Sequence, residues 1–326
     1  MGRYFKYAIG EILLVVIGIL IALQINNWNE KRKDNEKLQS ILLKIKEDLT
    51  GDLYIVNDNL FYLKLKDSIA QLIFNKEIDK ETFSKIGGSY LPFTSRVLDM
   101  NMSGYNQLQS NLDKIPSNFK SLMSSLNEIY INTKSNLDIY NRLMDDAIDE
   151  HYKTLSETKP WFSDWSRNIP SKEADLYFLN DSLGHNRISI YLQNLDATAY
   201  EGFNLKLRSI KAIKIIDSLT IGNSELPEIA TINLSNATIR KGLIGSYTLK
   251  ENKDNAQDFT ATKFNVIEEE GTLFLSSDID FKSKMYWNHN LTFISQKGFV
   301  SFVKTEDGQI ELQIQRRSGK LTFLKR

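Results

Sequence analysis

Apolar residues are distributed unevenly along the chain, and the densest run lies close to its beginning. Residues 12–23 are apolar throughout, and residues 12–29 carry no charge. As an α-helix, residues 7–28 would span about 33 Å, enough to cross a hydrocarbon core of ~30 Å. Aromatic residues flank both ends, as in the aromatic belts of membrane helices: Tyr4, Phe5, Tyr7 and Trp28. The pattern predicts a transmembrane helix over residues 7–28.

A cleaved signal peptide is the alternative interpretation of this segment. Signal peptides end in small residues, typically in an Ala-x-Ala pattern at the cleavage site. This segment instead ends in Gln24-Ile25-Asn26-Asn27-Trp28-Asn29. The exit sequence therefore favours an anchor that stays attached. Within it, Gly18 and Ala22 form a small-x-x-x-small pair, which would let two such helices approach closely as a homodimer.

The polar–apolar pattern after the membrane segment is helical. From residue 37 to about 75, apolar residues recur every three or four positions: Leu38, Ile41, Leu42, Ile45, Leu49, Leu53, Val56, Leu60 and Leu63. No proline precedes Pro92. We therefore expect the membrane segment and this helix to form one long rod.

Further helical patterns extend to about residue 219. One covers residues 103–155, with a restart at Pro116 and Ser117 as a capping residue, and another covers residues 188–219. Residues 78–96 and 158–172 contain glycine or proline and are predicted to be loops. The economical arrangement is an antiparallel bundle of three or four long helices.

The period changes near the end of the chain, where apolar residues alternate with polar ones. The alternating positions are Tyr247/Leu249, Phe264/Val266, Leu273/Leu275, Met285/Trp287, Leu291/Phe293, Ile310/Leu312/Ile314 and Leu321/Phe323. Glycine-containing turns separate them at 270–271, 297–298, 307–308 and 318–319. The pattern predicts seven or eight short antiparallel strands, curled into a small barrel or sandwich because curling protects exposed edges.

These elements define an α+β fold with an N-terminal transmembrane helix. The predicted division is a flank over 1–6, the membrane helix over 7–28, a helical stalk or bundle over 29–222, a linker over 223–242 and the β domain over 243–326.

Composition narrows the classes of function. The chain has 41 Lys+Arg and 41 Asp+Glu, so it lacks the positive excess on which nucleic-acid affinity depends. The absence of cysteine removes disulfides, thiolate nucleophiles and Cys-based zinc sites.

Motifs for catalysis or metal binding are incomplete. Ser117-Asn-Phe-Lys120 matches Ser-x-x-Lys, but the other elements of that acyl-transferase signature are absent. Residues 99–104 copy half of a calcium loop, whose twelfth position is Ser110 instead of Glu. The three histidines, His151, His185 and His289, lie in different segments. We predict no catalytic residue, cofactor or metal, and a chain that is not an enzyme.

Two features are candidates for binding. Trp161, Phe162, Trp165 and Arg167 lie in one predicted loop, and aromatic residues with arginine are common interface anchors. The alternative is that these rings close the end of the bundle. The other candidate is a barrel mouth near Tyr286, Trp287 and His289, although small barrels are usually filled by their own side chains.

The N-terminal string KYAIGEILLVVIGILIALQINNWNEKRK, residues 6–33, resembles the signature of an uncharacterised family of single-span envelope proteins of flavobacteria and their relatives. The later Ser103-Gly104-Tyr105, followed by Leu108, is similar in organisation. Family members carry basic residues before the span, which implies an N-terminus inside and a body in the periplasm. The charges that flank this span, counted alone, slightly favour a cytoplasmic body. The resemblance implies no activity or catalytic residues.

The resulting expectation is an inner-membrane, single-pass protein of the cell envelope. Its soluble body would have a structural role or bind an unidentified envelope protein or ligand, and its anchor would bind membrane lipid. The alternative is an accessory sensor that signals through its helical bundle.

Overall fold

The computed structural model describes most of the chain. The described residues are 2–112, 115–116, 119–220, 233–254, 261–277, 281–295, 298–316 and 319–326, and the side chains of residues 2–10, 254, 281 and 289 are not described. The predicted cap Ser117 and the turn residues Lys297 and Ser318 lie outside these ranges, as does the part of the predicted linker before residue 233.

One helix, α1, runs without interruption from Gly2 to Phe74 over 73 residues. At 1.5 Å per residue it is about 110 Å long. Its first part is exposed and apolar from residue 12 to residue 23, and it is long and apolar enough to cross a membrane. Its second part, from Leu38 onward, buries one face in a helical core. The predicted single rod is therefore confirmed.

The remaining helices pack around the second part of α1. They are α2 (Lys80–Lys85), a 3-10 turn (Gly88–Phe93), α3 (Ser103–Gln109), α4 (Lys120–Asn127), a π-helical turn (Glu128–Thr133), α5 (Lys134–Thr158), α6 (Phe162–Trp165), α7 (Lys172–Asn180), α8 (Ser182–Thr220) and α9 (Ala237–Leu243). Helix α8 is antiparallel to α1. Its beginning lies at the far end of α1, where the His185 and Phe74 ring centroids are 5.5 Å apart. Its end lies nearer the membrane segment, where Lys46 and Asp217 form a 2.5 Å ion pair.

Both predicted loops within the helical region contain short helices. Residues 78–96 hold α2 and the 3-10 turn, in which Phe83, Leu91 and Phe93 are buried. Residues 158–172 hold α6, and α7 begins at Lys172. The sequence pattern missed these elements because a helix of one or two turns has too few apolar positions to show a period.

The C-terminal region is an antiparallel, nearly closed barrel. The described part of the chain contributes nine strands, β1 (Gly245–Asp254), β2 (Lys263–Glu269), β3 (Thr272–Ser277), β4 (Phe281–Lys284), β5 (Tyr286–His289), β6 (Thr292–Ser295), β7 (Gly298–Lys304), β8 (Ile310–Arg316) and β9 (Gly319–Lys325). The strand order is β4-β3-β2-β1-β9-β8-β7-β6-β5. Pairing of β1 with β9 joins the two halves. Strands β4 and β5, at the two edges, are separated only by Met285, so one bent segment brings these edges together.

All predicted alternating residues of the β region lie in or against one apolar core inside the barrel. Tyr247 pairs with Phe264, and Phe293 pairs with Val300, so their side chains share the inner face. Leu243, at the end of α9, packs into this core. Its carbonyl accepts a 2.7 Å hydrogen bond from the Tyr247 hydroxyl. The predicted α+β fold with a small barrel is confirmed.

Candidate functional site

The barrel packs against the bundle through residues on its outer face. Ile294 on β6 pairs with Phe299 on β7, and both side chains contact the helical core instead of the barrel core. Successive side chains of a strand point to opposite faces. Since Phe293 and Val300 point inward, their neighbours Ile294 and Phe299 must point outward, toward α1 and α8.

A cleft remains where these surfaces meet. It encloses a cavity of about 330 Å³. Its walls are mostly apolar, with a smaller number of polar groups. The apolar lining is Leu60, Leu63, Ala199, Tyr200, Phe203, Ile294 and Phe299, and the polar lining is Asp67, Asp196, Ser295, Gln315 and Arg316. Its volume of about 330 Å³ lies within the range of small-molecule pockets, which are mostly apolar with a few polar groups.

Several contacts between α1 or α8 and the barrel surround this cleft. The Lys64 ammonium donates to the Thr292 hydroxyl at 3.3 Å, and the Gln71 amide donates to the Arg316 carbonyl at 3.3 Å. The Phe203 ring meets the Tyr286 ring edge-on, with centroids 5.2 Å apart. Burial lowers the pKa of Lys64. The cleft thus lies between two bodies that are tied together on more than one side.

A second polar feature lies on α1, closer to the membrane segment. Asp48 and Asp52 are one helical turn apart, and both are buried. The Gly104 backbone N–H donates to Asp48 at 2.7 Å, and the Asn101 N–H donates to Asp52 at 3.1 Å. The two carboxylates thereby hold the segment that leads into α3. Lys44 forms an ion pair with Asp48 at 3.2 Å.

Asp52 is in an unusual electrostatic environment. Burial, with smaller effects from the charges of Asp48 and Asp99, raises the pKa of Asp52 to about 7. Burial also raises the pKa of Tyr130, and the charges of Asp52 and Asp48 add to this rise. Among the described residues, neither Asp52 Oδ2 nor the Tyr130 hydroxyl has a hydrogen-bond partner. Asp52 therefore changes protonation near neutral pH.

This carboxylate pair lines a cavity of about 470 Å³, together with residues 99–101 of the incomplete calcium motif. Within the motif, the Ser103 N–H donates to the Asn101 side chain at 3.0 Å, and the Met100 N–H donates to Asp99 at 2.9 Å. No group of three or more His, Asp or Glu side chains in the described part of the chain could hold a metal ion. The motif leads into α3 and is hydrogen-bonded to α1, and Gly104 is required because an added Cβ would lie 2.7 Å from the Ile45 nitrogen.

The four aromatic and arginine residues predicted to bind a partner have different surroundings. Trp165 is buried, stacks on Tyr90 with centroids 4.7 Å apart, and donates from its indole N–H to Ser89 at 3.0 Å. Trp161 and Phe162 are partly buried against the helical core. Arg167 is exposed and pairs with Asp164 at 2.7 Å. Trp165 thus closes the end of the bundle, whereas partner binding by the rest stays a prediction.

The other sequence candidates do not converge on a site. Gly18 and Ala22 lie on the exposed apolar part of α1, and an added Cβ on Gly18 would meet nothing within 4 Å. His151 is buried and stacks on Phe93, and burial lowers its pKa to about 3. The His185 ring lies 3.0 Å from the Leu179 carbonyl. Trp287 packs against the barrel core, whereas Tyr286 contacts the bundle.

Sequence reasoning missed both the cleft and the carboxylate pair. Ile45, Leu49, Asp52 and Val56 are spaced four, three and four residues apart, so Asp52 occupies a position in the apolar register of α1. That signal could have identified a buried carboxylate. Ile294 and Phe299 each sit beside an inward apolar residue, which could have indicated a strand pair that is covered on both faces.

The first part of the chain is similar to an uncharacterised domain family. The family described as "Family of unknown function (DUF6090)" matches residues 11–150. The match includes the exposed apolar segment, the carboxylate pair and α5 up to residue 150, and it ends before α8 and the barrel. No curated protein matches the chain.

Replacement of Asp52 by Asn should make stability less dependent on pH. In the parent protein, the pKa of Asp52 is higher in the folded state, about 7, than its ordinary value of 3.8. Its contribution to stability is therefore complete below pH 3.8 and is lost as the pH rises through 7, by up to about 4 kcal/mol. Asn retains an oxygen for the Asn101 N–H and does not ionise. In denaturant titrations of the detergent-solubilised chain, the free energy of unfolding of Asp52→Asn should rise relative to that of the parent between pH 4 and pH 7. A difference in unfolding free energy that stays constant across this pH range would contradict the raised pKa of Asp52.

Replacement of Gly104 by Ala should separate α3 from α1. The new methyl group would overlap Ile45, at a cost of about 1–3 kcal/mol. Gly51→Ala is the matched control, because Gly51 is helical and has open space around its Cβ position. That change should stabilise the protein by about 0.5–1 kcal/mol, since Gly lowers helix stability relative to Ala. Equal changes in melting temperature for Gly104→Ala and Gly51→Ala, measured by circular dichroism, would contradict the close packing of Gly104 against Ile45.

Proposed function

We propose that this chain is a single-pass membrane protein of the cell envelope that holds a non-enzymatic binding module at the membrane surface. The module consists of the helical bundle and the barrel together. The proposed ligand site is the cleft between them, and the proposed ligand is a small, mainly apolar molecule or an apolar group of a larger partner.

The membrane anchor is proposed because the apolar part of α1 is exposed. Leu14 is 70% exposed and Trp28 is 66% exposed, and the intervening large apolar side chains of this segment are also exposed. In water each exposed leucine or isoleucine would forgo about 1.5–3 kcal/mol of burial energy. Lipid supplies the missing apolar environment, and the unbroken helix then fixes the body to the membrane.

The proposed location is the inner membrane, with the body in the periplasm. The orientation follows from the resemblance of residues 6–33 to single-span envelope proteins with their bodies outside the cytoplasm. Long domains translocate largely without regard to flanking charge, so the basic residues just after the span do not oppose it.

Binding is favoured over catalysis by the chemistry of the cleft. Its walls are predominantly apolar, and its charged side chains, Asp67, Asp196 and Arg316, all interact with other groups of the chain. A catalytic carboxylate or nucleophile needs an activating neighbour and access to substrate. The cleft offers shape and apolar surface instead.

A second function, accessory sensing, is favoured by one observation. Asp52, whose pKa is about 7, lies on the same helix that crosses the proposed membrane. Ionisation of Asp52 would alter its attachment to the segment before α3, so the bundle could respond to pH. In this alternative, a separate membrane partner would carry the signal.

The anchor and its orientation can be tested in cells. We expect the full chain in the membrane fraction, resistant to high salt and released only by detergent. A C-terminal reporter that is active only outside the cytoplasm should be active. Recovery of the intact chain in the soluble fraction would contradict the anchor, and an inactive reporter would contradict the orientation alone.

The cleft can be tested with an apolar fluorescent dye and the chain reconstituted in lipid nanodiscs, after subtraction of the signal from protein-free discs. Ala199→Leu would fill part of the cavity and should weaken dye binding roughly tenfold, a change of about 1.4 kcal/mol. Ala237→Leu on the exposed side of α9 is the control. Equal dye binding by both variants, with melting temperatures like that of the parent, would exclude the cleft as the dye site.

A further inference from the structure

The extramembrane part of α1 carries a line of exposed apolar side chains. In the described structure, six large apolar residues of this part are more than one-third exposed: Leu43, Tyr54, Ile55, Phe61, Leu65 and Leu72. On a helix of 3.6 residues per turn, all of them except Ile55 fall within about 20° of one line. We call these five residues, Leu43, Tyr54, Phe61, Leu65 and Leu72, the α1 stripe. Ile55 lies about 100° away from it.

The α1 stripe continues the face of the membrane segment that holds the small residues. Tyr54 follows Gly18 by 36 residues (54 − 18), which is about ten full turns. Ala22 and Ile25 lie within about 40° of the same line. Helix α1 has no break between these positions. The small residues in the proposed membrane span and the apolar residues outside it therefore face the same direction.

We propose that the chain forms a parallel homodimer in which the α1 stripe and the Gly18 face of one copy meet those of a second copy. This proposal rests on the membrane anchoring proposed above. Copies of a single-span protein share one orientation, so their two-fold axis must be parallel to the membrane normal. Helix α1 runs along this direction, and an isologous contact therefore pairs each face of α1 with itself.

The available area favours a second copy over a separate soluble partner. The five stripe residues are between 38% and 58% exposed. Side chains of this number and exposure cover less than the ~800 Å² per partner that stable interfaces need. A second α1 can extend the contact through the membrane along the same face, where small residues permit close packing.

On this face of α1 beyond the apolar segment, the charges do not oppose self-association. Its acidic residues near the stripe are each paired with a cation of the same chain. Glu36 pairs with Arg32 at 3.7 Å, Glu47 pairs with Lys44 at 2.9 Å, and Asp58 pairs with Arg96. Like charges that face each other across the two-fold axis would otherwise repel.

Cysteine cross-linking tests the proposal directly, because the chain has no cysteine of its own. Leu65→Cys places a thiol on the stripe, and Ile55→Cys places one on the same helix away from it. The parent side chains are similarly exposed, at 48% and 42%. Full-length variants in native membranes would be treated with a short bis-maleimide, and the products separated by denaturing electrophoresis. We expect several-fold more dimer from Leu65→Cys than from Ile55→Cys.

A second pair of substitutions tests the membrane part of the contact. Gly18→Leu should reduce the Leu65→Cys dimer, because the larger side chain separates the two helices. Val16→Leu, on the opposite side of the span, should leave it unchanged. Three outcomes would overturn the homodimer and leave the anchor intact. They are equal cross-linking of Leu65→Cys and Ile55→Cys, no dimer from membrane-bound Leu65→Cys, and an adduct of Leu65→Cys with a different protein. Recovery of these chains in the soluble fraction would overturn the anchor, and the dimer with it.

Discussion

Helix α1 has to satisfy two different surroundings along one uninterrupted backbone, and the rest of the structure follows from this constraint. Its first part presents apolar side chains in all directions, whereas its second part buries only one face. Because no proline or glycine pair breaks the helix, the orientation of its apolar first part is passed on to the bundle. The bundle, in turn, provides the surface on which the barrel packs.

Two attachments along α1 give the body its organisation. Nearer its apolar first part, Asp48 and Asp52 accept hydrogen bonds from backbone N–H groups of the segment that leads into α3. Farther along, Leu60 and Leu63 contribute to the cleft beneath Ile294 and Phe299 of the barrel. The first attachment contains a carboxylate that titrates near neutral pH, and the second contains an apolar cavity. A single helix therefore links the proposed membrane anchor, a carboxylate whose pKa is near neutral and the cleft against the barrel.

Much of the fold could be predicted from local periodicity, but the sites depend on long-range contacts. The spacing of Leu38 to Leu63 predicted α1, and the alternation of residues such as Phe264 and Val266 predicted the barrel interior. The same alternation continues through Met285 and Trp287, so it gave no sign that the strand bends there into β4 and β5. Asp52 lay in the apolar register of α1, but its partner Asn101 is 49 residues away in sequence. No local pattern could pair them, or place Ile294 against α8.

The rigid continuity of α1 between its apolar first part and the barrel can be measured most directly by a distance between two spin labels. Labels at Lys33→Cys and Leu72→Cys, in chains diluted with unlabelled protein, would report the length of α1 beyond its apolar segment. An unbroken helix over these 39 residues (72 − 33) predicts one narrow distribution near 60 Å, since each residue adds about 1.5 Å. A broad distribution, or one centred at a clearly shorter distance, would show that α1 bends or breaks and would contradict this account.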